Sequence, residues 1–167
     1  MLSGSGSVRG KGSGGSTSAL KLLMLGLLLV CTSAKVYKRC ELAKTLKQFG
    51  MDGYYKYSLA NWVCMAYSES RYNTSAINHN TKQGKVWSTD YGIFQINSKW
   101  WCDNQKTKGG KNICGLRCDD LLNDYLGDDC NCAKVIVTES KGMKAWVGWN
   151  KNCKDKDVEH FVDGCGV

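Results

Sequence analysis

Residues 88–97 of the 167-residue chain are Ser-Thr-Asp-Tyr-Gly-Ile-Phe-Gln-Ile-Asn, a stretch with a polar beginning and an apolar centre. The segment from Tyr91 to Ile96, and the pair Val86-Trp87 before it, are rich in the aromatic and β-branched residues that favour strands. Residues 73–97 therefore predict a small antiparallel sheet. The residues typical of turns in this region are Asn78, Asn80 and Gly84.

Two amphipathic helices are predicted before this sheet. From Arg39 to Phe49, apolar side chains recur at helical spacing, and glycines at positions 50 and 53 end the pattern. Ser58 has a side chain suited to the N-cap of a second helix, which should end near Ser70. The apolar face of this helix consists of Leu59, Trp62, Val63, Ala66 and Tyr67.

After the sheet, the pattern predicts a loop and two more helices. Residues 103–112 have no periodicity and should form an irregular loop between cysteines. A third helix is expected from about Asp128 to Thr138, and a shorter fourth from about Lys144 to Lys151. The chain has no proline and no repeat, so we predict one domain of the α+β class, mostly helical with a β insertion.

The N-terminal region has the features of a secretory signal. The apolar segment from Leu22 to Val30 follows basic residues and precedes Thr32-Ser33-Ala34, which suits a signal peptidase. We predict cleavage after Ala34, so residues 1–34 would be a signal peptide with a long Gly/Ser-rich leader, and residues 35–167 the secreted domain. The alternative is a membrane anchor, but the segment has roughly half of the ~20 residues that a spanning helix needs.

The domain is expected to be basic. The whole chain has a formal net charge of +8, and removal of residues 1–34 leaves 20 Lys and Arg against 15 Asp and Glu, a net charge of +5. No long basic run is present. Such a charge favours binding to acidic polymers and anionic surfaces, which include bacterial envelopes as well as nucleic acid. It is equally compatible with a charge that only keeps the protein in solution.

Nine of the ten cysteines follow the predicted cleavage point. In a secreted chain this number indicates a disulfide framework. A zinc site is disfavoured, because there is no Cys-x2-Cys pair and the only histidines are His79 and His160. Since nine is odd, at least one thiol has no intramolecular partner.

Glu69 is a candidate proton donor. It follows Trp62 by seven residues, which brings it to within about 20° of the same side of the helix, on the apolar face. Burial there would raise the pKa of the carboxyl and suit it to donate a proton near neutral pH. The alternative is a frayed helix end where Glu69 lies in water.

Asp90 has many hydrogen-bonding neighbours in the sequence, namely Asn78, Asn80, Ser88, Thr89, Gln95 and Asn97. A polar environment would keep this carboxylate charged. Two carboxyls in opposite environments are what glycoside hydrolysis needs. Spacing alone does not single out Glu69 and Asp90 among the 15 acidic residues, and an Asp in a β-turn is usually only a turn residue.

Tryptophans offer flat faces on which sugar rings can stack. Trp100 and Trp101 cannot both point inward from an extended chain, so at least one is expected in a groove. Trp87 and Trp146 are further candidates.

An acidic cluster precedes the third helix: Asn123, Asp124, Asp128 and Asp129. Its oxygen atoms could hold calcium, or its charges could simply favour the helix N-terminus. The pattern is not that of an EF-hand loop.

Several segments together closely resemble the c-type lysozymes. They are Arg39-Cys40-Glu41-Leu42-Ala43, Ser58-Leu59-Ala60-Asn61-Trp62, Tyr72-Asn73-Thr74, residues 88–97 quoted above, and Gly164-Cys165-Gly166. The resemblance extends from Lys35 to Val167, and the same family includes α-lactalbumin. It implies a lysozyme-like, two-lobed α+β fold with a cleft between the lobes.

The resemblance also implies four disulfides: Cys40–Cys165, Cys64–Cys153, Cys102–Cys118 and Cys114–Cys132. Cys130 is then the odd thiol, and Cys31 leaves with the leader.

The resemblance assigns roles to side chains. Glu69 matches the general acid of the family, and Asp90 its nucleophile or electrostatic stabiliser. Trp146 matches the apolar wall beside the acid, and Glu139 stands where the family often has a sugar-binding Asp. The other sugar-contacting positions are matched by Asn80, Gln95, Asn97, Trp100, Trp101 and Val147.

The activity implied is that of a secreted, antibacterial or digestive glycoside hydrolase that cleaves bacterial peptidoglycan with retention of configuration. No cofactor is required, and we expect a monomer that neither binds nucleic acid nor inserts stably into membranes. Two alternatives remain: a non-enzymatic, α-lactalbumin-like protein that binds calcium or sugar, and a cationic protein that damages membranes.

The calcium loop of some family members is matched by the backbone carbonyls of Asp120 and Tyr125 and by the side chains of Asn123, Asp128 and Asp129. Asn123 stands where an Asp is usual, so the site has one charge fewer, and calcium binding stays open.

Two further departures concern the cleft. Ser68 replaces a large aromatic residue usual before the acid, and the segment from Lys82 to Trp87 is longer than usual. Either could alter the rate or the choice of substrate.

Overall fold

The computed structural model describes residues 34–167, in which four α-helices accompany one small sheet. The helices are α1 (Arg39–Gln48), α2 (Leu59–Ser70), α3 (Gly127–Glu139) and α4 (Val147–Asn152). The strands are β1 (Ile77–Lys82), β2 (Lys85–Tyr91) and β3 (Ile96–Asn97). The predicted α+β class is confirmed, and the predicted signal peptide lies outside the described residues.

Helix α2 is the centre of the apolar core. It packs against α1 and α4, and Trp62, Met65 and Ala66 on it have no exposed surface. Ser58 is at the N-cap position as predicted, but its hydroxyl does not cap the helix. Asp52 does so instead, because its Oδ1 accepts a hydrogen bond of 3.0 Å from the N–H of Leu59.

The sheet is antiparallel, with the strand order β1-β2-β3. Asn78 pairs with Asp90, Asn80 with Ser88, and Asp90 in turn with Asn97 of β3. The register then shifts, so that Thr81 pairs with Val86 and Trp87 is left as the extra residue of a bulge. Asn78 and Asn80 therefore lie within a strand, and their prediction as turn residues was wrong. Only Gly84 of the three is at the hairpin turn.

The prediction of one strand from Tyr91 to Ile96 was also wrong. The chain turns after Tyr91, with positive φ at Gly92 and Gln95, and strand β3 begins only at Ile96. A Cβ at Gly92 would overlap the carbonyl oxygen of Leu121, so this close approach requires glycine. The side-chain amide of Gln95 closes the turn by donating to the carbonyls of Gly92 and Ala76.

The fourth helix starts later than predicted. Residues Met143–Ala145 form a 3-10 turn, and α4 begins only at Val147 because Trp146 between them has an extended backbone. The buried indole of Trp146 donates a hydrogen bond of 2.8 Å to the carbonyl of Phe94. This bond ties the start of α4 to the turn between β2 and β3.

Four disulfides staple the fold: Cys40–Cys165, Cys64–Cys153, Cys102–Cys118 and Cys114–Cys132. These are the pairs that the resemblance implies, and each contributes about 2–4 kcal/mol to stability in typical proteins. Cys130 is the free, buried cysteine of the described residues, and burial raises the pKa of its thiol. Within residues 34–167, no helix is both long and apolar enough to cross a membrane.

Candidate active site

A cavity of about 620 Å³ is lined by both predicted carboxyls, Glu69 from the last turn of α2 and Asp90 from β2. Pockets of this size accommodate small ligands or a few sugar rings. The cavity also receives side chains from β3, from the segment that follows it and from the start of α4. The cavity therefore lies between the helical part of the molecule and the sheet.

Glu69 is held on the wall of the cavity and is not turned into water. Its Oε1 accepts a hydrogen bond of 2.7 Å from the backbone N–H of Gly148. Burial raises the pKa of Glu69 and outweighs the hydrogen bonds from the N–H groups of Gly148 and Trp149, which lower it. The charge of Asp90 raises it further. A carboxyl in this state can keep a proton at a higher pH than an exposed glutamate can.

Asp90 is held between two amides. Asn80 Nδ2 donates to its Oδ2 at 2.8 Å, and Asn97 Nδ2 donates to its Oδ1 at 2.5 Å. Both amides also donate to the hydroxyl of Ser88, so the sheet register fixes them on either side of the carboxylate. Burial nevertheless raises the pKa of Asp90, against the lowering effect of Asn80 and Asn97. The polar neighbours moderate the effect of burial and do not abolish it.

Only some of the polar neighbours named from the sequence contact Asp90. Asn78 bonds instead to Gln95, at 2.7 Å between Nδ2 and Oε1. Thr89 lies on the opposite face of β2, where its hydroxyl is 3.0 Å from Nδ1 of His79. Strand alternation could have predicted this separation once Asp90 was placed in a strand.

Tryptophan side chains form much of the cavity wall. Trp146 is buried and packs edge to face on Trp62, so it is a fixed wall. Trp100 is 48% exposed and Trp101 is half-buried, and both line the cavity. The adjacent pair therefore places an indole in the groove, as expected from the sequence.

Most residues predicted to contact substrate line this cavity, namely Asn80, Gln95, Asn97, Trp100, Trp101, Trp146 and Val147. Glu139 is exposed at the end of α3 and is not among the lining residues. Trp87, a further sugar-stacking candidate from the sequence, also lines the cavity. Strict alternation would place it on the face of Thr89, and the bulge lets it reach the cavity. Ile136 and the N–H of Gly148 were missed, and no sequence pattern points to them.

Ser68, the departure beside the acid, contacts a disulfide. Its Oγ lies 3.5 Å from Sγ of Cys153. The hydroxyl therefore packs against the Cys64–Cys153 bridge, and it does not occupy the volume that a large aromatic side chain would fill.

The loop before α3 does not fit calcium as it is arranged. In the described part of the chain, no three His, Cys, Asp or Glu side chains form a group suited to a metal ion. Asn123 Nδ2 donates to the carbonyl of Asp120 at 2.6 Å, and its Oδ1 accepts from the N–H of Tyr125 at 2.7 Å. An N–H donor therefore faces the carbonyl that would bind the cation. Asp129 is fully buried with both carboxyl oxygens unpartnered, and its Oδ1 lies close to Gly92.

Comparison with known proteins gives a consistent result. Residues 35–165 match the model of the C-type lysozyme/alpha-lactalbumin family. Lysozyme C of Colobus angolensis is 52% identical over 149 residues, which cover 89% of this chain and 99% of that protein. Lysozyme C of Macaca mulatta and of Papio anubis are each 51% identical with the same coverage.

Proposed function

Because the chain belongs to the C-type lysozyme/α-lactalbumin family, we propose that it hydrolyses the β-1,4 bonds between N-acetylmuramic acid and N-acetylglucosamine in bacterial peptidoglycan. The observation that supports this most is the pair of half-buried carboxyls on the wall of one cavity, Glu69 and Asp90. A purely structural pair would have no reason to face an open groove rimmed by exposed indoles.

In the proposed reaction, Glu69 is the general acid. Its neutral carboxyl donates a proton to the glycosidic oxygen while the bond from that oxygen to the sugar C1 breaks. The N–H of Gly148 holds the carboxyl in place and stabilises the carboxylate that forms. Glu69 then accepts a proton from the water molecule that attacks C1, which restores the acid.

Asp90 is the partner carboxylate. It stabilises the positive charge that develops at C1, or bonds to C1 until water displaces it, and either route retains the configuration at C1. Asn80 and Asn97 fix both of its oxygens, so the carboxylate needs little rearrangement as the charge develops. The proton donor, the carboxylate and water suffice for this chemistry, so the reaction needs no cofactor.

The substrate would lie along the tryptophan-lined cavity. Trp100, Trp101 and Trp87 offer faces for sugar rings, and amides such as Asn80 and Gln95 have polar atoms at the same surface. The biological role we infer is antibacterial defence or digestion by an extracellular monomer. This role requires that residues 1–34 act as a signal peptide and that residues 35–167 form the secreted enzyme.

The alternative is a non-enzymatic member of the family that binds calcium or sugar. It is less well supported, because both carboxyls are present and face the cleft, and because Asn123 obstructs the calcium loop.

A turbidity assay on bacterial cell walls tests the proposal. We expect Glu69→Gln and Asp90→Asn each to reduce the clearing rate by about 10²–10⁴-fold. The matched controls are Glu159→Gln and Asp155→Asn, which make the same chemical changes at exposed positions and should retain full activity. If the disulfide-bonded wild type clears no faster than Glu69→Gln, the enzymatic proposal fails. Proton NMR of the first product formed from a chito-oligosaccharide should show the β-anomer.

A further inference from the structure

The positive charge of the domain is concentrated around the sheet. Residues 77–113 contain six lysines and only two acidic residues, Asp90 and Asp103, for a net charge of +4. The whole of residues 35–167 has a net charge of only +5. Most of the excess charge therefore belongs to this one segment.

A second cavity, which we call the rear cavity, occupies the face of the sheet opposite Asp90. Its volume is about 560 Å³, and its lining includes Thr89 and Tyr91 of β2 and His79 of β1. Thr89 and Tyr91 alternate along β2 with Ser88 and Asp90, of which Asp90 lines the cleft. The sheet thus separates two cavities of similar size.

Three lysines line the rear cavity: Lys99, Lys106 and Lys108. None of them forms an ion pair within the part of the chain that the structure describes, and the lining includes no acidic side chain. Lys99 Nζ donates to the carbonyl of Lys108 at 2.8 Å, whereas Lys106 and Lys108 are exposed. Like charges gathered without counter-ions favour an anionic occupant.

The loop that carries Lys106 and Lys108 is held in place by Asn104. Its Oδ1 accepts hydrogen bonds from the N–H groups of Lys106 and Thr107, and its Nδ2 donates to the hydroxyl of Tyr91 at 3.0 Å. Asn104 itself is buried. The backbone at Lys106 and Thr107 is therefore held in place before any ligand binds, which lowers the entropic cost of binding.

Trp87 connects the two cavities. It is the extra residue of the β2 bulge, it is 46% exposed, and it lines both the cleft and the rear cavity. An indole next to cationic side chains suits a sugar ring that carries an anionic group, because the ring stacks on the indole while its anionic oxygens meet the ammonium groups.

We propose that the rear cavity binds an anionic glycan through carboxylate or phosphate oxygens on its sugar rings, with Lys99, Lys106 and Lys108 as the cationic contacts and Trp87 as the stacking face. The choice of a glycan over other polyanions rests on the proposed function, since Trp87 also belongs to the cleft. Binding of an anion in the rear cavity does not depend on hydrolysis in the cleft. Such a site would hold the enzyme on acidic wall polymers while the cleft acts on the neighbouring chain.

Calorimetric titration of the folded, disulfide-bonded protein tests this site. The probes are a galacturonic acid hexamer, which carries carboxylates, and a phosphomannan fragment, which carries phosphates. A neutral N-acetylglucosamine hexamer reports on the cleft. We expect the double variant Lys106→Gln/Lys108→Gln to weaken binding of at least one acidic glycan by about tenfold. The probe that loses more affinity identifies the anionic group.

The matched control is Lys44→Gln/Lys47→Gln, which removes the same charge from exposed positions on α1. It should change the affinity for either acidic glycan by less than twofold. Equal losses in the two double variants, or no acidic glycan binding at all, would overturn the proposal. So would tighter, lysine-dependent binding of a single-stranded oligothymidylate, because the occupant would then be a nucleic acid.

The same titrations separate this proposal from the hydrolytic one. The Lys106→Gln/Lys108→Gln variant should bind and hydrolyse the neutral hexamer as the wild type does. A wild type that binds the acidic glycans but hydrolyses nothing would contradict only the proposed function. A wild type that hydrolyses the neutral hexamer but does not distinguish the two double variants would contradict only the rear cavity.

Discussion

The backbone N–H of Gly148 donates a hydrogen bond of 2.7 Å to Oε1 of Glu69, where the first turn of α4 meets the last turn of α2. This bond favours the ionised carboxyl, whereas burial favours the neutral one, and burial prevails, because the pKa of Glu69 is raised. In the proposed reaction, the raised pKa favours the protonated acid, and the N–H of Gly148 stabilises the carboxylate left after proton transfer.

The dependence of kcat/KM on pH should be bell-shaped. The proposed reaction requires Glu69 protonated and Asp90 ionised, so its rate should fall as the pH rises through the pKa of Glu69 and as the pH drops through that of Asp90. Both limbs should lie above the ordinary values of 4.5 for Glu and 3.8 for Asp, since burial raises both pKa values. Initial rates on a soluble chito-oligosaccharide measure the profile. An alkaline limb at the ordinary glutamate value would contradict the assignment.

Asn97→Ala should move only the acidic limb of that profile. Asn97 donates to Oδ1 of Asp90, and loss of a hydrogen bond to an ionised group raises its pKa by about one pH unit. The acidic limb should therefore move to higher pH, and the alkaline limb, set by Glu69, should stay in place.

The matched control is Asn131→Ala, which removes an exposed amide on α3 and should leave both limbs unchanged. A shift of both limbs by the same amount in Asn97→Ala would mean that the variant disturbs the whole cleft and does not act through Asp90.

Glu69→Gln should stabilise the fold at neutral pH although it reduces activity. The folded pKa of Glu69 lies above its unfolded value, so ionisation of the unfolded chain near pH 4.5 destabilises the folded wild type as the pH rises further. Below that pH, Glu69 is neutral in both the folded and the unfolded protein. The difference in stability between Glu69→Gln and the wild type should therefore vanish. The gain at neutral pH should be on the order of 1 kcal/mol, because the carboxyl is only partly buried.

Denaturant unfolding at pH 3 and pH 7 measures this difference. Glu159→Gln, at an exposed position, should change the free energy of unfolding at neither pH. Equal stabilities of Glu69→Gln and wild type at pH 7 would contradict the raised pKa.

The helices could be predicted from the sequence more completely than the carboxyl pair could. Helical periodicity gave α1, α2 and α3 to within a few residues, because their apolar faces are long and regular. It also placed Glu69 on the face of Trp62. It could not identify Asp90 as the partner, because their proximity depends on how the sheet packs against α2, and only the resemblance supplied that pairing.

The errors lie where local preference yields to tertiary contacts. Tyr91 to Ile96 has the composition of a strand, yet the approach of Gly92 to Leu121 and the amide of Gln95 turn the chain there. Trp146 interrupts the fourth helix because its indole bonds to Phe94. The role of Trp87 depends on a bulge, and a bulge is a property of the strand pairing and not of the residues themselves.

Trp87→Ser should weaken binding of neutral chito-oligosaccharides. The exposed indole lines the cleft, and loss of one stacking face should cost about 1 kcal/mol, which corresponds to roughly a fivefold rise in Kd. Because the hydrogen bonds to the two carboxyls in the described residues come from Asn80, Asn97 and Gly148 and not from Trp87, kcat should change much less than KM.

Val86→Ser is the matched control for the hairpin. Val86 is exposed and adjacent to Trp87 but does not line the cleft, so neither KM nor kcat should change. If both variants raise KM equally, the effect comes from the hairpin conformation and not from the indole.

Calcium should stabilise the wild-type protein little, whereas the Asn123→Asp variant should be stabilised by calcium. In the wild type, the Asn123 amide donates to the Asp120 carbonyl, so a donor stands where a cation needs an acceptor. The variant replaces that donor with a carboxylate oxygen and adds a negative charge beside Asp128 and the unpartnered Asp129. In 5 mM calcium we expect a melting temperature rise of less than about 1 °C for the wild type and of several degrees for the variant, from ligand linkage.

The matched control is Asn131→Asp, which adds the same charge at an exposed position of α3. Calcium should not raise its melting temperature more than it raises that of the wild type. A large rise in the wild type that Asp128→Ala abolishes would show that the loop rearranges to bind the ion despite Asn123.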